Sequence, residues 1–168
     1  KNAQFALFED IKMVNKNPLL ISWNTPYKIA PFDKILDDHF SEAVERAIED
    51  ELQEIQEISE NSDPPTFENT IHALLNSGNL LERVLSVFYT LVSADSNTQR
   101  EKLMTEFSPK LSSHSSKITS NEKLFNRIQE LFGKIDSLNL LPEEQRLLEK
   151  IHQDYVRAGA ALNDQSKE

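Results

Sequence analysis

Apolar residues recur at the 3.6-residue period of an α-helix through most of this chain, and a capping signal precedes most of these stripes. The clearest stripe predicts a helix from about Asp38 to Ser59, and its apolar members are Phe40, Val44, Ala47, Ile48, Leu52, Ile55 and Ile58. Only three glycines occur, which disfavours a β-sandwich with its many glycine-containing turns. The pattern therefore predicts an all-α helix bundle of about six or seven helices.

Helix boundaries in the middle of the chain follow from capping residues. Thr66 should cap a helix in which Gly78 either ends the helix or lies inside a longer, kinked one that reaches about Ser93. Ser96 and Gln99 form a capping box for the next helix. Pro109 lies inside that helix and predicts a kink or break near Ser108.

The last two predicted helices begin at similar signals. Thr119 and Glu122 form a further capping box, and the stripe behind it predicts a helix that ends near Ser137. Pro142 suits a first helical position, and the apolar stripe after it consists of Leu148, Ile151, Tyr155, Ala158 and Leu162. This pattern runs into residues 163–168 without a stop signal, as if the chain were cut within a helix.

The N-terminal residues 1–36 form a predicted region of their own. A short helix is expected from the spacing of Leu7, Phe8, Ile11 and Val14. Residues 15–36 contain three prolines with apolar residues between them, which indicates an irregular strap that lies on a core, and the apolar residues are Leu19, Leu20, Trp23, Tyr27 and Phe32. Residues 37–168 are then the helical bundle.

Charge and composition exclude several classes of function. The formal net charge is −10, and no basic stripe offers the cationic surface that nucleic acids or anionic membranes require. No apolar run approaches the roughly 18 residues of a membrane span. No cysteine is present, so neither a disulfide nor a cysteine-ligated zinc can form. We expect neither a nucleic-acid nor a membrane partner.

The chain lacks a recognisable catalytic or metal-binding motif. His-Glu-x-x-His, which places two zinc ligands on one helix face, does not occur, and the four histidines (His39, His72, His114 and His152) are far apart in sequence. Glu68 and His72 have the spacing of an exposed helical pair, and His114 on an apolar stripe indicates a histidine at the edge of the core. The acidic face of the first long helix, which includes Glu51, is expected to be solvated. Glu143 and Glu144 fit a helix start. We predict no catalytic, cofactor-binding or metal-binding residue in this chain.

Several segments nevertheless resemble the N-terminal part of the thimet-oligopeptidase-like zinc metallopeptidases, over about residues 17–162. The matching segments are Asn17-Pro18-Leu19-Leu20, Thr25-Pro26-Tyr27, Pro31-Phe32-Asp33-Lys34-Ile35, Pro65-Thr66-Phe67-Glu68-Asn69-Thr70-Ile71, Ser77-Gly78-Asn79-Leu80-Leu81, Glu144-Gln145-Arg146-Leu147-Leu148-Glu149 and Arg157-Ala158-Gly159-Ala160. Within the family, the stretch from Leu140 to Leu162 is more similar to the peptidyl-dipeptidase (dipeptidyl carboxypeptidase) branch than to oligopeptidase A.

This resemblance implies a parent enzyme several times longer. In such enzymes a largely helical half caps a deep channel, while the other half binds zinc and cleaves C-terminal dipeptides from short peptides. The present chain would then be the lid or channel segment, truncated before the catalytic domain and non-catalytic by itself. Its expected partners are that missing catalytic domain and short peptide substrates, and zinc is the expected cofactor of the parent enzyme only.

A second hypothesis is a stand-alone acidic helical adaptor that binds a partner protein through its helix faces. The cytoplasm is the default location, with the periplasm as the alternative if a signal peptide has been removed from the chain that now starts with Lys1. If another domain normally covers this one, apolar residues should be exposed on the strap and on the last helix, around Tyr155 and Leu162.

Overall fold

The computed structural model describes residues 17–160, and the short helix predicted from the spacing of Leu7, Phe8, Ile11 and Val14 lies outside this range. The prediction that the last helix continues without a stop signal is wrong, because that helix ends at Arg157, where Gly159 has a φ of +89° and the Ala160 N–H donates back to the Tyr155 carbonyl. Five long α-helices form the described part, which contains no β-strand: α1 (His39–Ser59), α2 (Asn79–Ala94), α3 (Thr98–Thr119), α4 (Glu122–Phe132) and α5 (Pro142–Arg157). A π-helix (Phe67–His72) continues into one α-turn (Ala73–Leu75), and 3-10 turns cover Pro26–Lys28, Phe32–Lys34 and Ile135–Ser137. The predicted all-α class is confirmed.

The described residues divide into two compact units. The first contains residues 17–47 and 80–107, and its core is built on aromatic packing. The Phe88 ring lies 5.1 Å from both the Phe40 ring and the Phe107 ring in edge-to-face geometry. Such ring pairs stabilise a core by more than the burial of their apolar surface alone. Leu19 from the strap and Val44 from α1 are fully buried in the same unit.

The second unit contains residues 48–79 and 108–160. Its core is a continuous apolar cluster from α1, the π-helix, α4 and α5, whose buried members are Ile55, Ile58, Ile71, Leu124, Phe125, Ile128, Leu131, Leu148 and Tyr155. Helices α4 and α5 supply most of these side chains. The separation predicted between residues 1–36 and 37–168 stays a prediction, since these units do not test it.

Two capping predictions are confirmed. Thr66 Oγ1 accepts a hydrogen bond from the backbone of Asn69, whose side chain in turn accepts one from the backbone of Thr66, so the box closes reciprocally. Pro142 is the first residue of α5, and Glu144 accepts the backbone N–H of Leu141 over 2.9 Å. Gly78 has a φ of +71° and lies between two helices, so the alternative of one long kinked helix is wrong.

Two other caps are wrong by one or two residues. Asn97 rather than Ser96 caps α3, through a 2.8 Å bond from the Arg100 N–H. Asn121 rather than Thr119 caps α4, through a 3.0 Å bond from the Leu124 N–H. Asparagine is at least as good a cap as serine or threonine, and here each asparagine directly precedes the first helical residue.

Two predicted interruptions differ from the structure. Of the kink or break predicted near Ser108, the break does not occur, because α3 runs without interruption from Thr98 to Thr119 with Pro109 inside it. The kink stays a prediction. The missing proline N–H removes one helical hydrogen bond, and the buried side chains of Phe107 and His114 hold the helix on both sides of it. Helix α4 ends at Phe132 rather than near Ser137, and the chain then tightens into the 3-10 turn Ile135–Ser137.

Candidate functional site

The four histidines do not come together in the structure. His39 accepts the Leu36 N–H at the start of α1, while His72 forms the predicted exposed pair with Glu68 at 3.1 Å. Within residues 17–160 no three histidine, aspartate or glutamate side chains are arranged to hold a metal ion. The remaining two histidines, His114 and His152, lie in different environments of the second unit.

His114 is a buried histidine paired with a buried carboxylate. Its Nε2 lies 2.8 Å from Glu51 Oε2, and the two side chains are only 6% and 17% exposed. The expectation of a core-edge histidine is confirmed. The expectation that Glu51 belongs to the solvated acidic face is wrong. Its side chain lies against His114 of α3, whereas Glu54 and Glu57 of the same helix are exposed.

The Glu51 carboxylate also lies close to two residues outside α1 and α3. A Cβ atom placed on Gly78 would lie 2.5 Å from Glu51 Cδ, so the carboxylate occupies space that only glycine leaves free. Burial raises the pKa of the Tyr155 hydroxyl, and the negative charge of Glu51 raises it further. His114 Nδ1 is buried and has no hydrogen-bond partner. The group is therefore an enclosed polar cluster that a peptide could not reach without local opening.

His152 lines an open cleft of about 600 Å³ between α4, the 3-10 turn and α5. Its ring stacks on Phe132 with a centroid distance of 3.9 Å and an interplanar angle of 2°, and Nε2 lies 2.7 Å from Gln129 Oε1. Burial lowers the pKa of His152 because it disfavours the charged imidazolium. Arg146 and Arg157 also line the cleft, and Arg146 is paired with Glu149 over 2.9 Å. This surface combines apolar and polar groups and is suited to binding rather than to covalent chemistry.

Arg127 is a buried cation on α4, and no sequence pattern predicted its structural role. Its guanidinium donates to the carbonyls of Asn61 and Asp63 and to the side chains of Thr70 and Asn69, over 2.8–3.2 Å. These bonds fix the loop that follows α1 to the start of the π-helix. Its partners lie 57 to 66 positions away in sequence, so no local sequence spacing predicts these hydrogen bonds.

A second buried charge pair fixes the end of the strap. Arg100 Nε donates to Asp37 Oδ1 over 2.7 Å, and Asn97 donates to the other carboxylate oxygen over 2.9 Å. Burial raises the pKa of Asp37, but the hydrogen bonds from Asn97 and Arg100 and the positive charge of Arg100 outweigh burial and hold the pKa below its usual value. The hydrogen bond with Asp37 raises the pKa of Arg100.

The strap exposes apolar side chains, as expected for a covered domain. Its exposed large apolar residues are Ile21, Tyr27, Ile29, Phe32 and Leu36. On the last helix the expectation is wrong for Tyr155, which is 7% exposed because it packs into the core of the second unit, although Val156 is exposed. Leu162 lies outside the described residues. No helix in the described range has the length and apolar character that a membrane span needs.

Comparison with known proteins confirms the resemblance. The chain is 37% identical over 155 residues to the dipeptidyl carboxypeptidase of Escherichia coli (strain K12) and 37% identical over 154 residues to that of Salmonella typhimurium (strain LT2). Each alignment covers 92% of this chain. Oligopeptidase A of Escherichia coli is 25% identical over 146 residues, or 87% of this chain. No protein-family model matches.

The chain spans 23% of the length of these dipeptidyl carboxypeptidases and 21% of oligopeptidase A. It resembles the N-terminal region of thimet-oligopeptidase-like peptidases, and it is more similar to the dipeptidyl carboxypeptidases than to oligopeptidase A, as predicted. The stand-alone adaptor is not favoured by these similarities.

Proposed function

We propose that this chain is the N-terminal helical segment of a zinc peptidyl-dipeptidase, where it forms part of the lid or channel wall that restricts access to the catalytic domain. The observation that carries the proposal is the 37% identity over 92% of the chain to dipeptidyl carboxypeptidases. An alignment of this extent includes the capped starts and the buried stripes of all five long helices, and therefore supports a shared fold as well as a shared ancestry.

In this proposal the chain is a channel segment, and the catalytic centre lies elsewhere in the longer protein. A catalytic zinc needs three protein ligands and one open position, and residues 17–160 do not bring three such side chains together. In this proposal the zinc ligands and the general base lie in the remaining three quarters of the longer protein. This chain contributes rigid helical walls, for which the buried Glu51–His114 pair and the Arg127 bonds provide internal fixation.

The direct test uses the product of the complete gene. We expect this longer protein to release C-terminal dipeptides from an N-terminally blocked peptide, and a strong chelator should abolish the release. The 168-residue chain at the same concentration should release none. A variant of the longer protein without residues 17–160 should lose restriction to short peptides or fail to fold, and circular dichroism separates these two outcomes.

A longer protein that is well folded, contains zinc and yet releases no dipeptide from any blocked peptide would contradict the proposed activity. The location of the longer protein is part of the same proposal. We place it in the cytoplasm, and recovery of the activity in a periplasmic extract, with a shortened N-terminus, would favour the periplasm instead.

A further inference from the structure

The described part of the strap (residues 17–36) is firmly fixed at its N-terminal end. Trp23 Nε1 donates to the Pro18 carbonyl over 2.7 Å, and the Arg83 guanidinium lies over the Trp23 ring at 4.9 Å. Arg83 also donates to the Leu19 carbonyl over 2.8 Å, while the Leu19 side chain is fully buried. Because both backbone and side chains are held, this end is an anchored part of the first unit and not a free linker.

The C-terminal end of the strap is fixed as well. Ala30 and Ile35 are buried, and the Asp37–Arg100 pair follows directly. The Leu36 N–H donates to His39 Nδ1 over 3.0 Å, which attaches the strap to the first turn of α1. Because the strap is fixed at both ends, the side chains between the two ends have defined orientations in the absence of a partner.

Exposed apolar side chains are concentrated between these anchors, where they alternate with exposed polar residues such as Lys28 and Asp33. Half of the exposed large apolar residues in the described part of the chain lie in a stretch of sixteen residues, and they are Ile21, Tyr27, Ile29, Phe32 and Leu36. Single exposed apolar residues are ordinary on protein surfaces, whereas such a concentration marks an interaction surface. We call these five residues the strap ridge.

Tyr27 occupies an unusual position in the ridge. Its side chain is 96% exposed, and its backbone has a φ of +57°, followed by +55° at Lys28. The left-handed region is unfavourable for both residue types. The backbone bonds from Lys28 N to Thr25 O and from Ile29 N to Pro26 O hold this turn closed. Within the described part of this chain the strained turn places the Tyr27 ring in solvent. The strain is therefore explained if the ring contacts another part of the protein.

We infer that the strap ridge is a preformed docking surface for the catalytic part of the same longer protein, an inference that rests on the proposed function. The dipeptidyl carboxypeptidase relatives are about four times as long as this chain, so a large covalently attached body is available to cover the ridge. Permanent interfaces have apolar centres and are enriched in tyrosine, which matches the ridge. A covalently joined partner also has a high effective concentration.

Hydroxyl-radical footprinting tests the contact directly. Tyr27 should react readily in the 168-residue chain and about fivefold more slowly in the longer protein, because a residue at the centre of an interface is desolvated. Tyr89 on α2, which is 46% exposed and lies outside the ridge, serves as the matched reference ring. Equal reactivity of Tyr27, relative to Tyr89, in both proteins overturns the inference.

Substitutions provide a second readout. Tyr27→Ser and Leu36→Ser should leave the thermal midpoint of the 168-residue chain unchanged, since both side chains are exposed there. In the longer protein each should lower the midpoint by about 2 °C, because an interface anchor is lost. Tyr89→Ser should have the same effect in both proteins. Equal effects of the ridge variants in the two proteins count against the inference.

The outcomes separate this inference from the proposed function. A longer protein that releases dipeptides while Tyr27 stays fully reactive overturns the docking surface and leaves the function standing. A longer protein that releases no dipeptide but protects Tyr27 overturns the function and supports the docking surface. Protection of Tyr27 in the 168-residue chain that rises with protein concentration identifies a second copy as the occupant, and overturns the assignment to the catalytic part.

Discussion

His114 Nε2 lies 2.8 Å from Glu51 Oε2, at hydrogen-bonding distance, and the two residues are separated by 63 positions in sequence. The other ring nitrogen of His114, Nδ1, is buried and has no hydrogen-bond partner. The pair links α3 to α1 inside the second unit. The Glu51 carboxylate lies directly against Gly78, so the glycine is part of the same cluster.

Gly78→Ala should therefore destabilise the protein through two effects. The left-handed backbone at φ +71° is unfavourable for alanine, and the new Cβ would lie 2.5 Å from Glu51 Cδ. We expect a loss of about 2 kcal/mol in the free energy of unfolding, measured by urea denaturation. In a Glu51→Ala background the same change should cost less, because the clash is gone. An identical cost in both backgrounds would show that Glu51 is free to move away.

Arg127→Met should be more severe, because it removes the buried guanidinium that donates to the partly buried carbonyls of Asn61 and Asp63. We expect a loss of about 3 kcal/mol, and Arg127→Lys should recover only part of it, because an ammonium group cannot reproduce the planar fork. Lys123→Met is the control, since the Lys123–Glu60 pair is exposed and should leave the midpoint of unfolding nearly unchanged. Comparable losses for Arg127→Met and Lys123→Met would refute the structural role of Arg127.

The helices could be predicted from sequence because their determinants are local. The stripe and cap that begin α5 at Pro142 lie within a few residues of each other, and the same is true of the Thr66 box. The errors at Ser96 and Thr119 arose because more than one good cap stood near each helix start. The alternative that placed Gly78 inside a longer helix failed because the sequence does not show the positive φ at Gly78.

The polar clusters could not be predicted because their partners are distant in sequence. Glu51 has the periodicity of the acidic face, and only the position of α3 shows that it is paired with His114. Arg127 lies on a helix with a strong apolar stripe, and nothing near it in sequence reveals its four partners. The family resemblance was therefore recognisable from the sequence, while the polar contacts that fix the helices could be identified only from the structure.

Asp37→Asn should reduce stability at neutral pH and remove part of the acid sensitivity. The pKa of Asp37 is lower in the folded state than the unfolded value of about 3.9. Its stabilising effect is therefore fully present above that value and disappears as the pH falls toward the folded pKa. We expect a loss of about 1 kcal/mol at pH 7 that shrinks below pH ~4, measured by thermal unfolding. A loss that stays constant down to pH ~2 would contradict this assignment.

His152→Phe should reduce the pH dependence of stability in a different window. Burial lowers the pKa of His152 in the folded state, so the unfolded chain binds a proton first as the pH falls below about 6.5. Wild-type stability should then decrease until the folded pKa is passed. Phenylalanine keeps the stacking on Phe132 without titrating, so the variant should show a shallower decrease. An NMR titration midpoint of the His152 ring at or above the value of a free histidine would exclude this explanation.

The last prediction concerns the absence of catalysis in the 168-residue chain by itself. The chain has four histidines and no cysteine, and the described residues bring no three potential ligands together. Carboxylates alone suit calcium or magnesium better than zinc. A structural zinc site would contribute on the order of 10 kcal/mol to folding, so its removal would be obvious. We therefore expect the same Tm with and without a strong chelator, and no dipeptide release from a blocked peptide. Activity that survives repurification and disappears with chelator would overturn this prediction. It would require a site built from His72, His114 or His152, and substitution of each histidine in turn would identify the ligand.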